Sequence, residues 1–324
     1  MWNKGATCVF LQIVAQVQPG ARREKLQAAS SESLNITRTG CRSMKLTIAL
    51  ISEVFPRTED ARRLPDLLQQ ARSMGAELAL LPELPLNRWA PATKTPDEQD
   101  AEFPGGWRHQ ALSDAGRAAG IGVIGGAIVR DPKSGTRHNT ALVFDALGKL
   151  VDSYRKLYLP EEEGFWETCH YEPGDVLPTV IEAFPLRLGL QICSDVNRPE
   201  LSRLRASLGA EVIIAPRATE ASTYERWKTV FLATAVTSCA YVVSVSRPQP
   251  ELGVPLGGAS IAVSPIGEIL IETTEPAAVV TLHRSVVEQA RRRYPGYLAT
   301  RADLLAEGWK NVRGSKLPHQ QSRK

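Results

Sequence analysis

The strongest constraint in this chain is a set of short strand-like segments, each closing on a polar residue suited to chemistry. Residues 76–81 are almost wholly apolar and close on Pro82-Glu83. A segment without a polar face belongs to a strand covered on both sides, as in a parallel sheet with further layers above and below. Residues 150–155 close on Lys156, and residues 186–192 stop at Cys193-Ser194-Asp195, ahead of Pro199-Glu200 and a helix-like run. A thiol at a strand-to-helix turn projects from the sheet edge beside free backbone N–H groups, which suits an oxyanion. Carboxylate, ammonium and thiol thus each terminate their own strand. Brought together, they would supply a base, an oxyanion stabiliser and a nucleophile.

Around these segments the pattern alternates. Strands are predicted over residues 45–51, 76–81, 121–130, 138–144, 149–155, 179–184, 186–192, 211–215, 241–246, 260–264, 268–272 and 277–282. Helices are predicted over 59–74, 107–119, 199–208, 222–238 and 285–293, the first two ended by Gly75 and Gly120. Residues 157–176, with Pro160, Gly164, Pro173 and Gly174, read as a long functional loop. The order fits one α/β domain of mixed sheets with helices outside, spanning 44–300. Residues 301–324 read as a polar C-terminal tail. Met44-Lys45 directly precede the first convincing strand, so 1–43 read as a disordered extension or a mis-assigned start.

With 324 residues, 43% of them hydrophobic, the chain can bury a substantial core. Its net charge of +4 comes from the first 43 residues, where Lys4, Arg22, Arg23, Lys25, Arg38 and Arg42 face only Glu24 and Glu32. The balanced remainder suggests neither a nucleic-acid nor a membrane surface. No apolar run approaches the roughly 20 residues that cross a bilayer. Five scattered cysteines without a CxxC pair argue against a disulfide framework and a structural zinc site, and make a cytoplasmic setting the expected one. No His/Asp cluster has ligand spacing, so neither metal nor cofactor is expected.

The segments resemble the nitrilase, or carbon–nitrogen hydrolase, superfamily over about residues 45–300. The resemblance rests on Leu80-Leu81-Pro82-Glu83, on Tyr154-Arg155-Lys156-Leu157-Tyr158-Leu159-Pro160, and on Gly189-Leu190-Gln191-Ile192-Cys193-Ser194-Asp195 with Pro199-Glu200. His138-Asn139-Thr140-Ala141, Gly209-Ala210-Glu211, Gly258-Ala259-Ser260 and Ser264-Pro265-Ile266-Gly267 support it. It implies a four-layer α-β-β-α sandwich that dimerises back to back, and a Glu-Lys-Cys triad falling on Glu83, Lys156 and Cys193. A second glutamate follows the lysine in many members. Gly164-Phe165-Trp166-Glu167, followed by Tyr171-Glu172-Pro173-Gly174-Asp175, looks like the segment in N-carbamoylputrescine amidases and puts it at Glu167, with Glu161, Glu162 and Glu163 competing.

Each residue also has a bland reading. On the residues alone, Cys193 reads equally as a small buried apolar side chain and as a nucleophile attacking an amide carbonyl or nitrile carbon to give a thioester or thioimidate. Glu83 is a strand-end salt-bridge partner or the base that takes the thiol proton. Lys156 is a snorkelling surface lysine or, with the Ser194 N–H, the holder of the oxyanion. Glu167 is a solvated loop acid or a group that positions substrate and water. None of the five histidines sits in a persuasive strand-end setting, His138 before Asn139-Thr140 reading as structural, which counts against a cysteine-protease triad.

Departures from the family pattern bear on substrate. True nitrilases follow the cysteine with Trp-Glu; here it is Ser194-Asp195, which favours amide or carbamoyl hydrolysis over nitrile hydrolysis. N-carbamoyl-D-amino-acid hydrolases carry an arginine pair where this chain has Val196-Asn197. Arg198 and Arg217 are the candidates to replace it, each with the alternative of pairing with Glu200 or Glu220 in the framework. Trp89, Trp166 and Tyr158 are candidates for an apolar pocket wall or for plain packing. The expectation is therefore an ammonia-releasing hydrolase of a small linear amide or N-carbamoyl amine. A nitrilase, or a non-catalytic scaffold, is the alternative.

Overall fold

The computed structural model describes residues 44–177 and 179–312, so the reading of 1–43 lies outside the described residues. The elements run β1 (Lys45–Ile51), α1 (Thr58–Ala61), α2 (Leu64–Ser73), β2 (Leu78–Leu80), β3 (Ala101–Glu102), α3 (Trp107–Ala119), β4 (Gly122–Arg130), β5 (Arg137–Phe144) and β6 (Leu150–Arg155). They continue with β7 (Glu161–Glu162), β8 (Phe165–Trp166), β9 (Leu188–Leu190), α4 (Pro199–Ser207), β10 (Val212–Ile214), α5 (Tyr224–Ser238), β11 (Tyr241–Ser244), β12 (Ser260–Val263), β13 (Ile269–Thr273), β14 (Ala277–His283), α6 (Arg284–Arg292) and α7 (Ala302–Asn311).

Two large sheets result. The first has the order β14-β1-β2-β4-β5-β6, with β3 added alongside β4; the second has the order β13-β12-β11-β10-β9. β1, β2 and β4 run parallel, as do β9, β10 and β11, while hairpins extend each sheet at one side. Because side chains alternate along a strand, β1 divides its apolar residues between two layers. Leu46, Ile48 and Leu50 meet Leu188, Leu190, Val212 and Ile214 of the facing sheet. Ala49 and Ile51 meet Leu64, Leu67 and Leu68 of α2 and Leu112 and Ala115 of α3. The outer face of the second sheet packs Ile213, Val242 and Ile261 against Phe231 and Ala235 of α5. This is the four-layer α-β-β-α sandwich, with both sheets covered on both faces.

Several boundaries differ from the sequence reading. The helix expected over 59–74 is two, α1 and α2, because Pro65 near the start of α2 lacks the N–H that a continuous helix needs. Residues 179–184 form no strand: Ile181 makes a single bridge with Leu188, while Phe184 fills the space above Gly122, where an added Cβ would approach it to 2.5 Å. The stretch 186–192 contributes only β9 to a ladder. The polar tail carries α7, which has no buried residue. Among the described residues, no helix is long and apolar enough to cross a membrane.

Candidate active site

In open parallel sheets, side chains gather in the crevice beyond the carboxyl ends of the strands. Here the two sheets bring such ends together. Glu83 follows β2, Cys193 follows β9, Ala218 follows β10 and Lys156 directly follows β6. The Lys156 N–H donates to the Asn139 carbonyl (2.9 Å), which fixes where the lysine side chain starts.

Lys156 Nζ lies 2.8 Å from Glu83 Oε1 and 2.6 Å from Glu167 Oε1. All three side chains are sealed from solvent. Asn139 Nδ2 donates to Glu83 Oε1 (2.8 Å) and the Ala218 N–H donates to Glu83 Oε2 (2.9 Å), so the carboxylate is held from both sheets. The Cys193 thiol donates to the carbonyl of the same Ala218 (3.3 Å). Sulfur and carboxylate are thus tied to the two ends of one residue. Cys193 adopts φ +47°, a left-handed backbone uncommon outside glycine, and Leu84, next to Glu83, adopts φ +48°. Such strain persists only where surrounding contacts over-determine it.

Asp195 supplies those contacts for Cys193. Its Oδ2 accepts from the Ile192 N–H (3.0 Å) and the Tyr154 hydroxyl (2.8 Å); its Oδ1 accepts from the Leu157 (3.2 Å) and Tyr158 (3.0 Å) N–H groups. One carboxylate therefore joins the cysteine turn to the lysine loop. On the other side, Arg247 donates to the Glu83 (2.9 Å) and Leu84 (2.8 Å) carbonyls and is itself paired with Glu251 (2.7 Å).

Electrostatics follow from burial. Desolvation alone would pull Lys156 down, but Glu167 and Glu83 outweigh it and hold the ammonium well above its usual range. Burial, reinforced by the Glu83 charge, pushes Glu167 up to about 8 against the pull of Lys156. Burial likewise pushes the Cys193 thiol up, with Glu83 adding to the effect. The resting site therefore contains a protonated thiol and an ammonium, with the Glu167 carboxyl held far above the usual carboxylate range.

Cys193 and Ser194 open into a cavity of about 680 Å³ whose wall includes Glu162, Glu163, Phe165, Asn197, Glu220, Arg226 and Trp227. That volume suits a small organic molecule. Of the residues singled out from the sequence, Glu83, Lys156, Glu167 and Cys193 are brought together, and Ser194 lies on the cavity wall. Among the competing glutamates, Glu161, Glu162 and Glu163 are exposed. The three substrate-binding candidates Trp89, Trp166 and Arg217 lie outside the cavity wall. Trp89 is buried, donating from Nε1 to the Gly164 carbonyl (2.8 Å) and stacking edge-on with Phe165, so it props the wall from behind. Trp166 faces Lys94, whose Nζ sits 3.9 Å from the ring centroid. Arg217 is fully buried and spends its donors on Ser244, Thr219 and the Ala259 carbonyl, between Tyr224 and Phe231. A guanidinium so enclosed serves the framework.

Sequence reasoning gave no role to Asn139, Asp195 or Arg247. Asn139 and Asp195 sat inside the quoted motifs, where an amide next to a strand and a carboxylate two residues past a candidate nucleophile were available signals. Arg247 carried none, because the carbonyls it binds, those of Glu83, Leu84 and Asn87, lie 160 or more residues away, on the loop after β2 of the other sheet. Among the described residues, no group of three or more His, Cys, Asp or Glu is arranged to hold a metal ion.

Residues 45–292 match the carbon–nitrogen hydrolase family. A hydrolase of Schizosaccharomyces pombe is 32% identical over 209 residues, covering 61% of this chain but only 64% of that protein. The human omega-amidase NIT2 is 28% identical over 273 residues, covering 82% of this chain and 97% of that one. The crystal structure of an amidase from Nesterenkonia sp. superposes with a TM-score of 0.68 at 25% identity, covering 82% of this chain and 96% of that one. A variant of that amidase carries the acetamide moiety of fluoroacetamide covalently on its active-site cysteine.

Proposed function

Starting from the fact that this chain belongs to the carbon–nitrogen hydrolase family, we propose that it hydrolyses a small linear amide through Cys193, with Glu83, Lys156 and Glu167 as the groups that move and hold charge. The observation that carries this reading is the buried Lys156 ammonium, 2.8 Å and 2.6 Å from two carboxylates, beside a buried thiol that opens into a cavity. A structural ion pair needs no reactive neighbour. This one has a nucleophile on the strained turn at its edge.

In the proposed reaction, the Cys193 sulfur attacks the amide carbonyl carbon as its proton passes to Glu83. The carbonyl oxygen takes up negative charge, offset by the Lys156 ammonium and the Ser194 backbone N–H. Losing such a donor raises the barrier by roughly 3–4 kcal/mol. Glu83 then gives its proton to the nitrogen, the carbon–nitrogen bond breaks, ammonia departs and a thioester remains on Cys193. Water attacks the thioester with Glu83 accepting its proton; the carbon–sulfur bond then breaks, the carboxylic acid leaves, and Glu83 returns that proton to the Cys193 sulfur. Glu167, whose Oε2 has no partner among the described residues, is free to orient substrate or water.

The relatives described above that carry a named substrate chemistry are amidases, which favours an amide over an N-carbamoyl amine or a nitrile. The test is ammonia release from a panel of small linear amides, N-carbamoyl amines and nitriles, with Cys193→Ala as control. Release from amides that vanishes in the variant supports the proposal. Equal release from both proteins removes Cys193 from the reaction, and acid formed from nitriles alone replaces amide hydrolysis with nitrile hydrolysis.

A further inference from the structure

A second cavity, of about 350 Å³, opens at the edge of the sandwich and shares no lining residue with the one at Cys193. Its position follows from the topology: β6 ends the first sheet and β9 ends the second, so the two edge strands leave a gap between the layers. The wall is formed by Asp152 and Tyr154 of β6, Leu190 of β9, Ile181, Leu177 and Arg205 of α4. Arg205 reaches this space because β9 has Gly189 beneath it. A Cβ there would meet Arg205 Cδ at 2.8 Å.

Arg205 is fully buried, and its Nε, Nη1 and Nη2 have no hydrogen-bond partner among the described residues. Its close contacts are with Tyr154, whose ring centroid lies 4.8 Å from the guanidinium carbon and whose hydroxyl is a neutral polar neighbour; neither supplies a counter-charge. Buried charges in proteins are paired, and the other enclosed arginines here obey the rule: Arg217 and Arg247 each find carbonyl, hydroxyl or carboxylate acceptors. The remaining cation on the wall, Arg155, is already paired with Asp131.

We infer that this cavity is a second ligand site, taking a small aliphatic monocarboxylate whose head group pairs with Arg205. The planar fork of a guanidinium matches a carboxylate in two parallel hydrogen bonds. Leu190, Ile181 and Leu177 offer the aliphatic body an apolar wall, and the Asp152 carboxylate on the same wall disfavours a second negative charge. The site has a route to the chemistry. Arg205 stacks on Tyr154, Tyr154 donates to Asp195, and Asp195 holds the turn of Cys193 and the loop after Lys156. If the proposed amidase reaction holds, its acid product belongs to the ligand class, so occupancy here would couple product level to the geometry of the nucleophile.

The test is butyrate binding to the full-length protein by calorimetry, in wild type, Arg205→Met, Leu177→Glu and Cys193→Ala. Met keeps the stem volume and removes the charge; Leu177 is exposed, so its replacement places a repelling carboxylate at the mouth without touching the core. The inference expects saturable binding that weakens tenfold or more in Arg205→Met and in Leu177→Glu and persists in Cys193→Ala. No binding to wild type, or binding equal in wild type and both cavity variants and lost in Cys193→Ala, overturns it. Because this readout needs no turnover, failure of the amidase assignment leaves it standing and its own failure leaves that assignment standing.

Discussion

Lys156 and Arg205 are both buried cations, and the protein treats them in opposite ways. Lys156 sits between two carboxylates at 2.8 Å and 2.6 Å, the first of which, Glu83, is held from both sheets through Asn139 and Ala218. Arg205 has the ring and hydroxyl of Tyr154 and an adjoining cavity, and no carboxylate paired with it among the described residues. In the first case the fold has supplied every counter-charge, so the cation is fixed before substrate arrives, as electrostatic preorganisation requires. In the second the counter-charge must come from outside. A completed charge cluster suits chemistry, and an incomplete one suits binding.

The largest expected effect breaks the first region. Cys193→Ala should lower amide hydrolysis by about 10⁴-fold or more, measured as ammonia release, with little loss of fold since the thiol behaves otherwise as a small buried side chain. Next, Lys156→Met leaves Glu83 and Glu167 buried without their shared cation. Denaturant melts should show a loss of about 3–5 kcal/mol, together with loss of activity. A melt unchanged within error would mean that the ammonium is not holding the two carboxylates.

The pH dependence sharpens the contrast further. Glu167 is raised from 4.5 to about 8 in the folded protein, so the native state binds more protons than the unfolded chain between those values. Its contribution is complete below pH 4.5 and is lost as pH rises toward 8. Glu167→Gln, which cannot ionise, should therefore gain stability relative to wild type across that window. Parallel stability curves for the two proteins would place the titration elsewhere. The smallest effect belongs to the second region. Gly189→Ala pushes a methyl against the Arg205 stem and should cost about 1–3 kcal/mol by overpacking, read from the same melts.

How far the sequence discloses this arrangement depends on how local the cause is. Glu83, Lys156 and Cys193 are visible because each stands where a strand-like segment ends, Glu83 after an almost wholly apolar run and Lys156 after a mixed one. Glu167 needed the family motif, since five glutamates share the loop 157–176 and only the lysine behind it separates the buried one from the four exposed. That the strands are covered was readable from their apolar runs, whereas the four-layer order came only with the family resemblance. Residues 179–184 were not readable: Val180, Ile181 and Phe184 are apolar because they pack, and packing leaves the same pattern as pairing. Arg217 and Trp89 misled for the mirror reason. An arginine or tryptophan near a candidate site says nothing about which way it points, and here both point into the framework. Arg205 was read only as part of a helix, because its isolation depends on Gly189 beneath it and on the gap between two sheet edges.

The central claim is that the sulfur poised for attack belongs to Cys193 and that its surroundings make it so. Treatment with fluoroacetamide followed by peptide mass mapping tests it most directly, because Cys169 is exposed and Cys239 is buried without the charge cluster, giving two internal controls. The account predicts one stoichiometric adduct on Cys193, formed in wild type and slowed strongly in Glu83→Gln. An adduct that falls on Cys169 or Cys239 while Cys193 stays unmodified would contradict it.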